Sequence, residues 1–150
     1  MMRILTLELI QKLFEPFGRI LEHLPAEIPE VTEKGIFNFF VIFKEFTEGW
    51  QIGYLEQMGK ILKTLECHPT TPEVFIPLKG ESILLLAVNP EEEIVAFNLN
   101  KPIVLNRGIW HGVISLTERS EILIVENQDV TDEFYKLQES ISDKSLKKMN

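Results

Sequence analysis

Glu66-Cys67-His68-Pro69-Thr70-Thr71-Pro72-Glu73-Val74-Phe75-Ile76-Pro77-Leu78-Lys79-Gly80 is the stretch on which the reading of this chain turns. Along extended backbone, side chains two apart leave the same face. Glu66 and His68 therefore project together, and Leu65 and Cys67 project the other way. Periodicity alone sends Leu65 and Cys67 to a core and Glu66 and His68 to water. Pro69 and Pro72 flank a turn that can bring the next strand back beside the first, with Glu73 at its start, and Gly80 supplies the next turn. A second stretch, Pro102-Ile103-Val104-Leu105-Asn106-Arg107-Gly108-Ile109-Trp110-His111, sets a turn glycine between two apolar runs and a histidine just inside the following strand. Glu66, His68 and Glu73 from one hairpin, with His111 from a later strand, make a pocket for a divalent metal. Two imidazoles and two carboxylates suit Mn, Fe, Ni or Zn.

Outward from these stretches the chain reads as short strands. Ile36 to Phe43 is dense in β-branched and aromatic residues, and Trp50 to Leu55 alternates. Further runs are Arg19 to Leu21, Ile61 to Cys67, Val74 to Ile76, Ile83 to Val88, Ile94 to Phe97, Ile103 to Leu105, Ile109 to Leu116 and Ile122 to Val125, separated by Gly, Pro and Asn. Such spacing predicts an all-β sandwich or barrel. Ile83 to Val88 is apolar on both faces, so both faces need cover: the second sheet on one side, and a terminal segment or another subunit on the other. A short helix is expected within residues 1–18, capped by Thr6, with Leu9, Ile10, Leu13 and Phe14 on one face and Pro16 and Gly18 ending it. A second is expected within 131–150, capped by Asp132, with Phe134, Leu137 and Ile141 as its stripe.

The spacing Glu66-x-His68-x4-Glu73-x6-Gly80, then Gly108-x-x-His111, resembles the two cupin motifs, His-x-His-x3–4-Glu-x6-Gly and Pro-x-Gly-x-x-His-x3-Asn. Glu66 stands where the first histidine is usual, Asn106 replaces the proline and Ser115 the last asparagine. More narrowly, Glu66-Cys67-His68-Pro69, Phe75-Ile76-Pro77-Leu78-Lys79-Gly80, Arg107-Gly108-Ile109-Trp110-His111 and the opening Pro16-Phe17-Gly18 are similar to segments of the ureidoglycolate lyase family, small cupins. Cys67, Glu73, Leu105, Asn106, Gly112 and Val113 depart from that family's arginine, glutamine, tyrosine, histidine, histidine and proline.

The resemblance implies a single cupin domain over 1–150, a double-stranded β-sandwich or jelly-roll barrel. It reverses the face assignment, turning Glu66 and His68 into a shared pocket with His111. It also implies cleavage of ureidoglycolate, a small anionic substrate, into glyoxylate and urea. Glu66, His68, Glu73 and His111 would hold the metal, either carboxylate, Glu66 or Glu73, that is not bound to it would move a proton, and Arg107 would hold the substrate's charge. Two other readings stay open: a cupin that binds a small acid or sugar without turning it over, and a metal cupin with an isomerase or oxygenase reaction.

Composition narrows the classes. The 150 residues carry 15 Lys plus Arg against 23 Asp plus Glu, a net charge of −8, and no basic stripe. Nucleic-acid binding is not expected of such a surface, nor is membrane insertion. Glu8 interrupts the first apolar stretch, so no secretory signal is expected, and the single cysteine, Cys67, fits a cytoplasmic location. Cys67 reads as a small buried apolar residue, Trp110 as packing, and His23 as an exposed loop residue. The apolar strand Ile83 to Val88 and the aromatic run Phe37 to Phe43 exceed what one small sandwich hides, so a homodimer or larger assembly is expected.

Overall fold

The strand that lacks alternation, β8 (Ser82–Ala87), is buried at every position in the computed structural model, which describes residues 2–148. Met1, Met149 and Asn150, the ends of the expected domain, lie outside the described residues. The other strands are β1 (Ile4–Leu7), β2 (Gly18–Ile20), β3 (Val31–Glu33), β4 (Phe37–Phe39), β5 (Trp50–Gln57), β6 (Ile61–Cys67), β7 (Glu73–Lys79), β9 (Val95–Asn98), β10 (Ile103–Leu105), β11 (Trp110–Ser115), β12 (Ser120–Asn127), β13 (Glu133–Ser142) and β14 (Leu146–Lys148). They form a seven-stranded sheet in the order β13-β6-β11-β8-β9-β1-β14, a five-stranded sheet in the order β2-β10-β7-β12-β5, and the separate hairpin β3-β4. This is the all-β double-stranded sandwich that the cupin resemblance implies.

Two cores follow from the two faces of β8. Leu84 and Leu86 point inward and meet Phe14, Phe75, Phe97 and Ile122. Ile83, Leu85 and Ala87 point the other way and meet Ile4, Leu65, Ile114, Leu137 and Ile141. Burying each such Leu, Ile or Phe side chain stabilises the fold by about 1.5–3 kcal/mol.

The outer core is enclosed by the chain itself. Ser142 pairs with Ile61 at one edge of the large sheet, and Leu146 pairs with Ile4 near the other. Six strand spacings would put flat edges roughly 29 Å apart, yet four residues span at most about 14 Å. The sheet must curl, and the 3-10 turn Asp143–Ser145, capped by the Ser142 hydroxyl, closes it. The cover over β8 is therefore a terminal segment. That removes one of the two grounds for expecting a homodimer.

Several expectations need correction. The C-terminal helix is a strand. Leu137 and Ile141 are four apart, a spacing that shares a face in both a helix and a strand, and a vacant edge on β6 decides for the strand. Asp132 caps nothing there, and Phe134 lies 66% exposed on the opposite face from Leu137. At the N-terminus, Thr6 belongs to β1 and pairs with Ala96. The helix is a single turn, Gln11–Phe14, whose N-cap Ile10 offers no side-chain bond; Phe14 is buried, while Ile10 and Leu13 are exposed. Of Ile36 to Phe43 only Phe37–Phe39 is strand, and Phe37, Phe39 and Phe43 stand exposed. Finally, β6 and β7 are not a hairpin: they lie in different sheets, and the Pro69–Pro72 turn carries the chain across the sandwich.

Candidate functional site

That crossing builds the site. Glu66 on β6 stands directly opposite His111 on β11, and His111 in turn opposite Leu86 on β8, so all three face the sandwich interior. His68 follows at the end of β6. Glu73 opens β7 in the opposing sheet and faces them across the cleft. Both motif glycines do what their spacing demands: Gly80 and Gly108 each have φ of 76°, a conformation that costs an L side chain. At Gly80 a Cβ would also collide with the Arg119 carbonyl oxygen.

Glu66, His68, Glu73 and His111 converge. His111 Nε2 lies 3.0 Å from Glu73 Oε1 and 3.4 Å from Glu66 Oε1, while His68 Nε2 lies 3.4 Å from Glu73 Oε1 and 3.7 Å from Glu66 Oε1. They line a cavity of about 600 Å³ together with Gln51, Phe75, Glu126, Asp132 and Phe134. His68, Glu73 and His111 are buried; Glu66 is half-exposed at its mouth. Burial alone would push the His111 imidazolium pKa down. The Glu66 and Glu73 carboxylates and the Ile109 carbonyl outweigh it, lifting His111 to about 10. The same neighbour holds the Glu66 carboxyl below its usual range, against its partial burial.

The donor set fits a metal ion. Glu73 Oε1 and His111 Nε2 are buried, close, and yet without a hydrogen-bond partner, a costly state unless something else satisfies them. His111 Nδ1 sits 3.1 Å from the Ile109 carbonyl oxygen, which fixes Nδ1 as a donor and leaves Nε2 facing the cleft, where it can give a lone pair to an ion once its own proton is displaced. Donors about 2.1–2.3 Å from an ion stand roughly 3.0–3.7 Å from one another, which is the span of the four distances above.

Two residues of the site escaped the sequence reading. Asp132 Oδ1 lies 2.9 Å from His68 Nδ1, behind the ring; its reading as a helix cap hid it. Glu126 lies within 4.8 Å of the His68 and Glu73 donor atoms. Its signal was present, because it follows the inward residues Ile122 and Ile124 at the same period of two.

Arg107 is not brought to the site. Its guanidinium binds the Glu45 carboxylate and the Thr70 carbonyl oxygen, outside the cavity walls. Cys67 is buried on the outer side, and burial and Glu133 push its thiol pKa up, as suits a packing residue and not a nucleophile. Trp110 packs edge-on to Tyr135. His23, expected to be a bare loop residue, is exposed but stacks on Phe40 at 4.3 Å.

Comparison with known proteins adds three findings. The family model described as ureidoglycolate lyase matches residues 1–147. A ureidoglycolate lyase of Azotobacter vinelandii is 24% identical over 142 residues, covering 83% of this chain and 86% of the relative. One of Pseudomonas fluorescens is 26% identical over 143 residues, covering 83% and 85%. Among solved structures, the capsular polysaccharide assembling protein CapF of Staphylococcus aureus superposes with a TM-score of 0.51 at 15% identity. That likeness covers 61% of this chain and 27% of the larger one, and it speaks to the fold alone.

Proposed function

The chain belongs to the ureidoglycolate lyase family, and on that premise we propose that it cleaves ureidoglycolate into glyoxylate and urea in the cavity between its two sheets. The observation that carries the reading is the convergence of Glu66, His68, Glu73 and His111 around orphaned, inward-facing donor atoms. A divalent metal held by these four residues would supply Lewis acidity toward the substrate's hydroxyl and carboxylate oxygens.

The protein's own part is proton traffic and enclosure. Cleavage needs the hydroxyl proton removed as the C–N bond breaks and a proton delivered to the departing urea nitrogen. Glu66 sits at the mouth of the cavity, and its side chain is 42% exposed, so the carboxylate oxygen it does not give to the metal is placed to accept the first proton and return it to nitrogen. Glu73, deep and flanked by both imidazoles, holds them in place. Phe75, buried, and Phe134, exposed at the rim, supply apolar lining to the cavity. Arg107 enters this scheme only through the segment around Glu45 that it ties down.

The test is turnover. Purified protein incubated with ureidoglycolate is expected to release urea and glyoxylate in equal amounts, and prior treatment with a chelator should abolish the release until a divalent metal is restored. Absence of turnover with every one of Mn, Fe, Ni and Zn would end the proposal. We also place self-association on the exposed apolar side chains Phe37, Phe39, Phe43, Phe46, Trp50 and Ile52. Light scattering should find a species of about twice 17.4 kDa, and a monomer alone at micromolar concentration would contradict it.

A further inference from the structure

We infer that Glu126, held in place by Gln51, is the acceptor that reads the ureido end of the substrate. This rests on the ureidoglycolate reading above and deepens it.

Glu126 is oriented before any ligand arrives. It stands directly opposite Gln51 in the β12–β5 register, and Gln51 Nε2 donates to Glu126 Oε2 at 3.0 Å. That bond uses one carboxylate oxygen. The other, Oε1, is buried and has no hydrogen-bond partner. Both residues line the cavity. Glu126 groups with His68 and Glu73, whereas Glu66 and His111 group with His68 on the other side. It thus shares His68 and Glu73 with the four-donor ring but does not group with Glu66 and His111. The ring already holds two carboxylates, enough to balance a divalent charge, so Glu126 is surplus to it.

A carboxylate can only accept hydrogen bonds. Against an anionic substrate it repels the carboxylate end and favours whatever end carries N–H groups. Ureidoglycolate has such groups on both urea nitrogens, while glyoxylate and simple 2-hydroxy acids have none. A buried acceptor left unpaired penalises a ligand lacking the donor, so the site discriminates by omission. Placing the ureido group at Glu126 turns the hydroxyl and carboxylate oxygens toward the four-donor ring, the orientation that cleavage requires.

The experiment is a calorimetric titration of Mn2+-supplemented protein with ureidoacetate, which is the substrate without its hydroxyl, and with glycolate. Wild type should bind ureidoacetate about 10–100-fold more tightly than glycolate. Glu126→Gln, whose amide offers a donor where an acceptor is needed, should bind the two alike while keeping wild-type metal content. Gln51→Ala, a change at an exposed side chain, should narrow the preference several-fold and guards against misfolding of the first variant. An undiminished preference in Glu126→Gln overturns the inference, and so does loss of its metal, which would make Glu126 a ligand. A wild type that cleaves no ureidoglycolate but prefers ureidoacetate through Glu126 would end the proposed function and leave this assignment standing. Cleavage with a preference indifferent to Glu126 would do the reverse.

Discussion

His111→Ala should lower metal affinity by more than about 100-fold, since changes at groups that merely orient a ligand already cost 10–100-fold, while His23→Ala should match wild type. His111 Nε2 is one of the two orphaned atoms at the centre of the cluster, and its removal opens the ring between Glu66 and Glu73. His23 stacks on Phe40 in a surface loop, away from the cavity. The comparison is one of metal stoichiometry and melting temperature on both variants. Deleting His111 removes a ring set edge-on to Phe75, a smaller packing loss than a core Leu→Ala truncation of about 2–5 kcal/mol. It also removes the imidazolium that lies 3.0 Å from the buried Glu73 carboxylate, so the metal-free variant should be less stable than metal-free wild type. A stable, fully metallated His111→Ala protein would remove the metal site in this form. Full metal content with a collapsed melting temperature would make His111 a core histidine.

The site was more legible than the ends of the chain, and for a physical reason. Glu66, His68, Glu73 and His111 are set by short-range spacing around left-handed glycines, which constrains backbone directly. Periodicity misplaced Glu66 and His68, sending them to water, because both faces are covered at this end of β6: Leu65 serves the outer core, while Glu66 and His68 line the inner cleft. Alternation separates inside from outside only where one side meets water. The terminal segments failed for a different reason. Leu137 and Ile141 satisfy two periods at once, and their state is decided by an open strand edge that is remote in sequence. Thr6 likewise caps a helix by local chemistry but is drawn into β1 by pairing with Ala96. Arg107 had a carboxylate to find, but the carboxylate was Glu45 of its own chain. Glu126 required trusting the alternation of β12 one step beyond its last apolar residue.

Protons and metal should compete at His111, and the competition runs well above the ordinary histidine range. In the metal-free protein the Glu66 and Glu73 carboxylates lift His111 to about 10 despite its burial. Its folded pKa thus exceeds the unfolded value near 6.5. The stability it contributes is fully present below about pH 6.5 and is lost as pH rises toward 10. Glu66 has the opposite sign: its lowered pKa gives stability present above the usual carboxylate range and lost under acid. Metal-free protein should therefore be most stable in mildly acidic buffer and should soften from pH 6.5 to 8.5. Metal binding must expel the His111 proton, because only the neutral ring has a lone pair to give. Affinity should then rise about tenfold per pH unit over the same window, one proton leaving per ion bound. Chelator-competition titrations at pH 6.5, 7.5 and 8.5, paired with thermal melts of metal-free protein, read the two slopes side by side. Opposite slopes are expected, since one proton stabilises the empty site and obstructs its filling. A flat affinity profile would mean that His111 is already neutral at pH 6.5, and that the two carboxylates do not hold its proton.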